Sequence, residues 1–565
     1  MKRRLLLLIT LFPSYTLADL TLTTDGKTDY IITLPDTPTL IQQSAAKELQ
    51  TSLHEVTGAT FDIQSSKNIP ATAPVIEISS TPGADDSVFI QTSPHHLLLS
   101  GSGPRGPLYA VYSFLEDSVG LRWWTSSESF TPHTPTLTIP DLNLSYAPAL
   151  LYRECYNADP IRNPAFAAHL KINGHHEKIP SDLGGHYTII GWCHTSFKLI
   201  PPATYFDKHP DWYSQINGKR DYHWGQLCWS NPDLRKELVK NVLAQIRKNP
   251  SAGIISVSQE DCFNPCQCPL CRAIEQEDGS PSGPLLRGVN AVAAEVAKQY
   301  PNFLVETLAY QWSRKPPKVT RPAPNVLIRL CSIEANFAHP LESQDFGSDL
   351  KGWSQIANHL FIWNYVTNFA NYLIPHPNLT PIAADLRLFA ANHVIGVFEQ
   401  SDAFNYPAGD FLQLRVWLES HLLWNPSLDQ RALTTEFLDG YYGPAGKPLL
   451  QYLDLINAPA ADPKFFRGCY HKTADFLTSA NLADATNLFD QAESAVASDP
   501  ILLKRVRIQR LILDNVKLNH YDFTTALKTK SPEAVTADYT HSADELIHDF
   551  TQAGVQNVSE GQAFS

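Results

Sequence analysis

Two things are scarce in this 565-residue chain: long apolar runs and clustered positive charge. Beyond the first residues there is no Lys/Arg-rich block, and 44 basic residues face 57 acidic ones, for a formal net charge of −13. That balance leaves no footprint for nucleic acid and no attraction to anionic membranes, so neither partner is expected. After residue 18 no stretch is long enough to cross ~30 Å of hydrocarbon. The sequence also lacks a G-x-S-x-G elbow, a cysteine-protease signature, a nucleotide-binding loop, a His-x3-His pair, tandem repeats and low-complexity tracts. These absences remove the commoner nucleophile, nucleotide and metal chemistries. No cofactor and no active-site metal is expected.

What is present begins with a signal-peptide pattern over residues 1–18. Lys2, Arg3 and Arg4 form a basic start, residues 5–12 an apolar core, and Thr16 and Ala18 put small side chains at −3 and −1 of a cleavage site. A secreted or periplasmic, soluble product is therefore expected, with no membrane insertion after cleavage. Nine cysteines include Cys262, Cys266, Cys268 and Cys271, spaced C-x3-C-x-C-x2-C. In an oxidising compartment local disulfides are the first expectation and a structural metal the second. Residues at i and i+2 are awkward to bridge, which leaves Cys268 to pair elsewhere or stay a thiol.

The length calls for two or three domains. Residues 19–145 read as an α/β accessory domain. It has alternating strands near 20–23 and 30–33, a helix over 39–56 ended by Gly58, strands near 75–78 and 96–100, and a helix over 106–117. A Pro-rich run at 131–148 reads as a linker. Residues 146–430 change to near-continuous apolar runs at 253–259, 303–309, 326–331, 359–365 and 393–399, separated by helical stretches. Asn231 and Pro232 open the clearest of these helices, which runs to Lys248. Buried strands alternating with helices predict a parallel sheet, either a barrel or a doubly wound layer, and a central TIM-like (β/α) barrel within an α/β fold is the reading taken. The Pro-rich interval between 309 and 326 predicts that one barrel helix is short or missing. Residues 431–565 read as a helical region.

In a parallel barrel the C-terminal strand ends build the pocket. Those ends carry Glu260 and Asp261, Glu334, and Glu399, with Tyr365 and Asn368 after the 359–365 run. A buried strand that runs into a carboxylate must account for its charge, and paired carboxylates flanking a scissile bond are what glycoside hydrolysis requires. Adjacent strand residues face opposite ways, so only one of Glu260 and Asp261 can face the pocket, and Asp261 is preferred. Eleven Trp and 22 Tyr supply flat rings for sugar faces. Trp192, Trp224, Trp229, Trp312, Trp363 and Tyr310 lie near these ends, and His194 and His186 sit in Gly-flanked loops as polar lining.

The segment from Gly101 to Glu116, followed by Val119-Gly-Leu-Arg-Trp-Trp, resembles the accessory N-terminal domain shared by α-glucuronidases and β-hexosaminidases. Ser256-Val-Ser-Gln-Glu-Asp, Cys266-Gln-Cys-Pro-Leu-Cys, Leu308-Ala-Tyr-Gln, Arg329-Leu-Cys-Ser-Ile-Glu, Trp363-Asn-Tyr-Val-Thr-Asn-Phe, Gly396-Val-Phe-Glu-Gln and Gly440-Tyr-Tyr-Gly resemble the DUF4838 family. That family overlaps glycoside hydrolase family 163, which acts as an endo-β-N-acetylglucosaminidase on N-glycans. The resemblance spans about residues 30–455 and departs where Gln259-Glu260-Asp261 replaces Gln-Asn-Asp. It implies a retaining mechanism, assisted by the substrate's own acetamido group. Glu334 would be the general acid/base and Asp261 would orient the acetamido group. Glu399 would bind hydroxyls or exchange roles with Asp261, and Glu260 is the fourth, neighbouring candidate. His194, Tyr310, Trp363, Asn364, Arg329 and Asn368 would contact the glycan substrate. An α-glucuronidase-like exo-glycosidase, for which Arg329 is the one hint, and a non-catalytic glycan-binding protein are the competing readings.

Overall fold

The computed structural model describes residues 19–564, so the signal-peptide reading lies outside the described residues. The chain divides into two compact units. One comprises the residues up to Arg122 together with Phe130–Ala147 and Ser181–Gly184. Its six-stranded sheet runs in the order Asn143–Tyr146, Val88–Ser93, His96–Gly101, Val75–Ser80, Ile31–Leu34, Ile63–Ser65. The helix Leu40–Thr57 starts at Thr39, whose side chain and that of Gln42 cap each other's backbone, and stops at Gly58 in the left-handed region. Its Leu49, Leu53 and Val56 are fully buried, as their spacing requires. The Pro-rich 131–148 run is no free linker: Thr138 and Ile139 pair with Thr21 and Leu20, and Asn143–Tyr146 pairs with Val88–Ser93.

The second unit is built on one all-parallel sheet. Its strands are β1 (Tyr152–Tyr156), β2 (Ile189–Ile190), β3 (Ile254–Ser256), β4 (Leu304–Ala309), β5 (Val326–Cys331), β6 (His359–Tyr365) and β7 (Val394–Gln400). The pairing order is β1-β7-β6-β5-β4-β3-β2, the cyclic order of a (β/α) barrel opened between β1 and β2. Of the TIM-like barrel expected from the sequence, the structure has the α/β character and a curled, seven-stranded parallel half-barrel. The two residues of β2 pair with β3, and among the described residues no ladder joins β2 to β1. Helices Pro232–Lys248, Ser282–Gln299, Asp345–Ser354, Ile382–Ala391 and Leu412–Trp424 lie in sequence between and after the strands. The Asn231 side chain accepts from the Asp233 and Leu234 amides at the start of the first. Between β4 and β5 only a turn, Gln311–Ser313, takes the place of a helix. The C-terminal helices, from Gln430–Tyr442 to Pro532–Gln552, belong to this same unit. Among the described residues no helix is long and apolar enough to cross a membrane.

None of the nine cysteines is in a disulfide, which corrects the disulfide expectation. Several acids are buried deeply enough to resist ionisation. Glu419, in Leu412–Trp424, is fully buried and neither carboxylate oxygen has a hydrogen-bond partner. Burial pushes its carboxyl up to about 8, against a smaller lowering by Arg415. Asp385 also rises to about 8, and Asp402 to about 6, through burial. A carboxyl whose folded value exceeds its ordinary value of 4.5 favours the fold while protonated, and loses that contribution as pH rises towards 8. The melting temperature should therefore fall from pH 5 to pH 8, and Glu419→Gln should flatten that fall. A thermal-denaturation series over pH checks this, and an unchanged slope in the variant would count against it.

Candidate active site

A cavity of about 310 Å³ opens where the strands of the half-barrel end. Every strand delivers lining to it: Tyr156 from β1, Trp192 and His194 after β2, Asp261 after β3, Leu308 and Tyr310 at β4, Cys331 and Ile333 at β5, Trp363 and Tyr365 from β6, Phe398 and Gln400 from β7. Cys193, Ser401, Tyr372, Phe404, Tyr470 and Glu560 complete the wall. A larger cleft, about 660 Å³, lies among Leu379, Arg387, Arg431 and Asp454. There Arg431 is paired to Asp454, and no strand end reaches it.

Aromatic rings line the base. The Trp192 ring lies 5.6 Å from Trp363 and 4.9 Å from Phe398, centroid to centroid. Trp363 and Tyr365, two apart on β6, share the inward face and stack at 6.2 Å. The chain reaches this position through left-handed backbone at Gly191 (φ +83°), Trp192 (+63°) and His194 (+49°). Such conformations cost a non-glycine residue of order 1 kcal/mol and cluster at functional sites. His194 Nδ1 lies 2.9 Å from the Gln259 carbonyl oxygen, and its ring is 5.9 Å from Tyr310.

Two carboxylates line the cavity. The Tyr310 hydroxyl donates to Asp261 Oδ1 at 3.2 Å and accepts from Gln311 Nε2 at 2.9 Å. Glu560 sits in the C-terminal hairpin between strands Asn557–Ser559 and Gln562–Ala563. It is exposed as a residue, yet its carboxylate accepts from Gln400 Nε2 at 3.3 Å, and the Tyr470 hydroxyl lies 3.5 Å away. Partial burial raises the Glu560 carboxyl, and the charge of Asp261 adds to the rise against those two hydrogen bonds. Gln400 also accepts from the Trp363 indole at 2.7 Å, which couples the acid to the aromatic base. Cys193 is no nucleophile near neutral pH, because burial pushes its thiol up to about 11.

The other expected residues lie elsewhere. Glu260 accepts from the Ser196 hydroxyl and the Phe197 amide at the start of helix Ser196–Leu199 and is not among the lining residues. Glu334 pairs with Arg314 at 3.0 Å outside the lining, next to Ile333. Glu399 follows the period of two: Phe398 and Gln400 face the cavity and Glu399 the opposite side. It is 1% exposed and accepts from Asn364 at 2.9 Å, and burial followed by the Glu419 charge drives its carboxyl well up. Asn364 shares that outward face and accepts from Ser332 at 2.7 Å. Arg329 is fully buried below the cavity, with its guanidinium 4.3 Å from the Trp192 ring and 3.5 Å from Glu306. Asn368 ties loops together through the His471 backbone. Of the remaining aromatics, Trp229 is buried, Trp224 is 78% exposed outside the lining, and Trp312 donates to the Cys262 carbonyl.

The sequence reading missed Glu560, Tyr470 and Gln400. Gln400 was recoverable from the alternation of β7, whereas nothing local marks Tyr470 within the non-helical stretch between Ala461 and Ser479. Nothing in the local pattern around Glu560 separates it from any surface hairpin.

A parallel half-barrel with a carboxylate-bearing cavity at its strand ends defines the class of fold and site. Residues 123–454 match the family model described as "Domain of unknown function (DUF4838)", more than half of the chain, and the protein belongs to that family. No curated protein matches the chain. Among solved structures, "A novel family GH115 4-O-Methyl-alpha-glucuronidase, BtGH115A, with specificity for decorated arabinogalactans" is similar at a TM-score of 0.57 and 10% identity, over 95% of this chain and 78% of that one. "Structure of CpGH84B" matches at 0.48 and 10%, over 95% and 94%. A "GH138 enzyme targeting pectin rhamnogalacturonan II" matches at 0.45 and 9%, over 95% and 94%. At 10% identity the likeness to the first of these is one of fold.

Proposed function

We propose that the protein is an exported glycoside hydrolase that cleaves β-linked N-acetylglucosamine-containing glycans of the N-glycan type, with retention and help from the substrate's acetamido group. The carrying observation is the cavity itself: Asp261 and Glu560 are the two carboxylates of a lining otherwise rich in Trp, Tyr and Phe. Flat rings bind the C–H faces of a sugar, and two carboxylates supply the acid/base and charge-stabilising roles of glycoside hydrolysis. The glycosidase description of the GH115 fold relative supports the reaction class. In this reading Asp261, held by Tyr310, orients the acetamido group and stabilises the positive charge that develops at the sugar. The proton donor assigned to Glu334 by resemblance passes to Glu560, whose carboxyl is raised and faces the cavity.

The α-glucuronidase alternative needs a cation aimed at the uronate. No Arg or Lys lines this cavity among the described residues, and Arg329 is sealed beneath Trp192. A neutral sugar fits better. Purified protein assayed on N-glycans, chitobiose-type oligosaccharides and glucuronoxylan discriminates the readings. Release from the first two alone is expected. Release from glucuronoxylan would favour the uronidase, and binding with no release from any would favour a lectin-like role.

A further inference from the structure

One sequence motif takes no part in that chemistry. The C-x-C-x2-C run of Cys266, Cys268 and Cys271 is joined in space by Cys228, and all four sulfurs lie within 4.8 Å of one another. The Cys228 Sγ is 3.6 Å from that of Cys268 and 4.0 Å from that of Cys271. Four sulfurs bound tetrahedrally at about 2.3 Å from zinc stand about 3.8 Å apart, whereas a disulfide requires about 2.05 Å. All four residues are buried, at 2–6% exposure.

The surroundings are those of thiolates rather than of packed thiols. The Gln215 amide points at Cys266 Sγ at 3.3 Å, the Arg220 guanidinium at 3.6 Å, and the Cys271 amide at Cys268 Sγ at 3.5 Å. Cys268 is the N-cap of helix Pro269–Asp278, so the helix N-terminus faces the same cluster. The Ser230 hydroxyl sits 3.1 Å from Cys271 Sγ. Cys262, the fourth cysteine of the sequence cluster, stands apart and contacts the Gly225 carbonyl at 3.2 Å.

The geometry points to a structural zinc site formed by Cys228, Cys266, Cys268 and Cys271. On binding, the four thiols release their protons to water, and the Arg220 charge and the amide donors offset the excess negative charge of four thiolates around a divalent ion. A closed four-sulfur set leaves no open position for substrate or water, so the ion is structural. Its place gives it a definite task. The 262–268 loop leaves directly from Asp261, and Gln226, two residues before Cys228, donates to the carbonyls of Glu260 and Cys262 and accepts from the Glu260 amide. The ion would pin both loops and, through them, the backbone that presents Asp261. This site stands on its own geometry and is independent of the glycosidase reading.

The full chain, purified without added metal, should contain one zinc per molecule by elemental analysis, and all nine thiols should titrate after denaturation under non-reducing conditions. Cobalt exchanged into the site should give the visible bands of a tetrahedral thiolate complex. Cys228→Ser should lose the zinc while Cys262→Ser keeps it. If Cys228→Ser does not fold, the cobalt spectrum and the metal content of the unaltered chain still decide. Stoichiometric iron, fewer titratable thiols with no metal, or zinc lost from Cys262→Ser and kept by Cys228→Ser would each overturn the assignment.

Discussion

Asp261→Asn is expected to lower kcat on a β-linked N-acetylglucosamine substrate by about 10³, with glycan binding retained, because removal of a single preorganised electrostatic stabiliser costs on the order of 10²–10³ in turnover. The amide keeps the shape and the bond from Tyr310, whose hydroxyl already donates to Asp261 Oδ1. What it loses is the negative charge, which acts when positive charge develops at the sugar. The loss should therefore fall on kcat more than on KM. Tyr310→Phe should reproduce a smaller part of it, since the hydroxyl positions the carboxylate rather than replacing it. Steady-state kinetics of the two variants, with calorimetric binding of the uncleaved glycan, checks the split. An Asp261→Asn enzyme with normal turnover would remove this residue from the chemistry.

Glu560→Gln should have the second large effect, and its pattern is diagnostic. A general acid contributes typically about 10²–10⁴, and only where the departing oxygen needs a proton. Turnover of an unactivated oligosaccharide should fall by about 10³, while an aryl glycoside with an acidic phenol should lose far less. The pH profile carries the same information. With Glu560 as the proposed proton donor and its carboxyl raised by burial and by Asp261, wild-type activity is expected to persist above the ordinary carboxylate range and to fall as pH rises through that raised value. In Glu560→Gln the basic limb should disappear. An unchanged basic limb would assign it to another group.

How much of this was legible in the sequence depends on how local the signal is. The helices Leu40–Thr57 and Pro232–Lys248 were readable because their caps and apolar faces agree within a few residues. The parallel sheet was readable because strands buried on both faces are continuously apolar. Its opening between β1 and β2 was not, since a two-residue strand leaves no period to detect. In the site, the acids at the strand ends were found by position, and the period of two was applied to Glu260 and Asp261 but not to the later strands. That period turns Glu399 and Asn364 away from the cavity and leaves Phe398, Gln400, Trp363 and Tyr365 facing it. Cys228 and Glu560 were illegible for a different reason. Each joins its partners only through long-range packing, and Glu560 and Tyr470 also lie beyond the 123–454 span of the family match.

In the proposed site the bond is cleaved between Asp261 and a proton donor at Glu560, while Glu334 pairs with Arg314 outside the cavity lining. The most direct measurement is kcat/KM of Glu560→Gln and Glu334→Gln, side by side, on one unactivated β-linked N-acetylglucosamine glycan. A fall of about 10³ for Glu560→Gln with near-wild-type values for Glu334→Gln is the predicted result. The reverse order would rule out Glu560 and return the proton donor to Glu334.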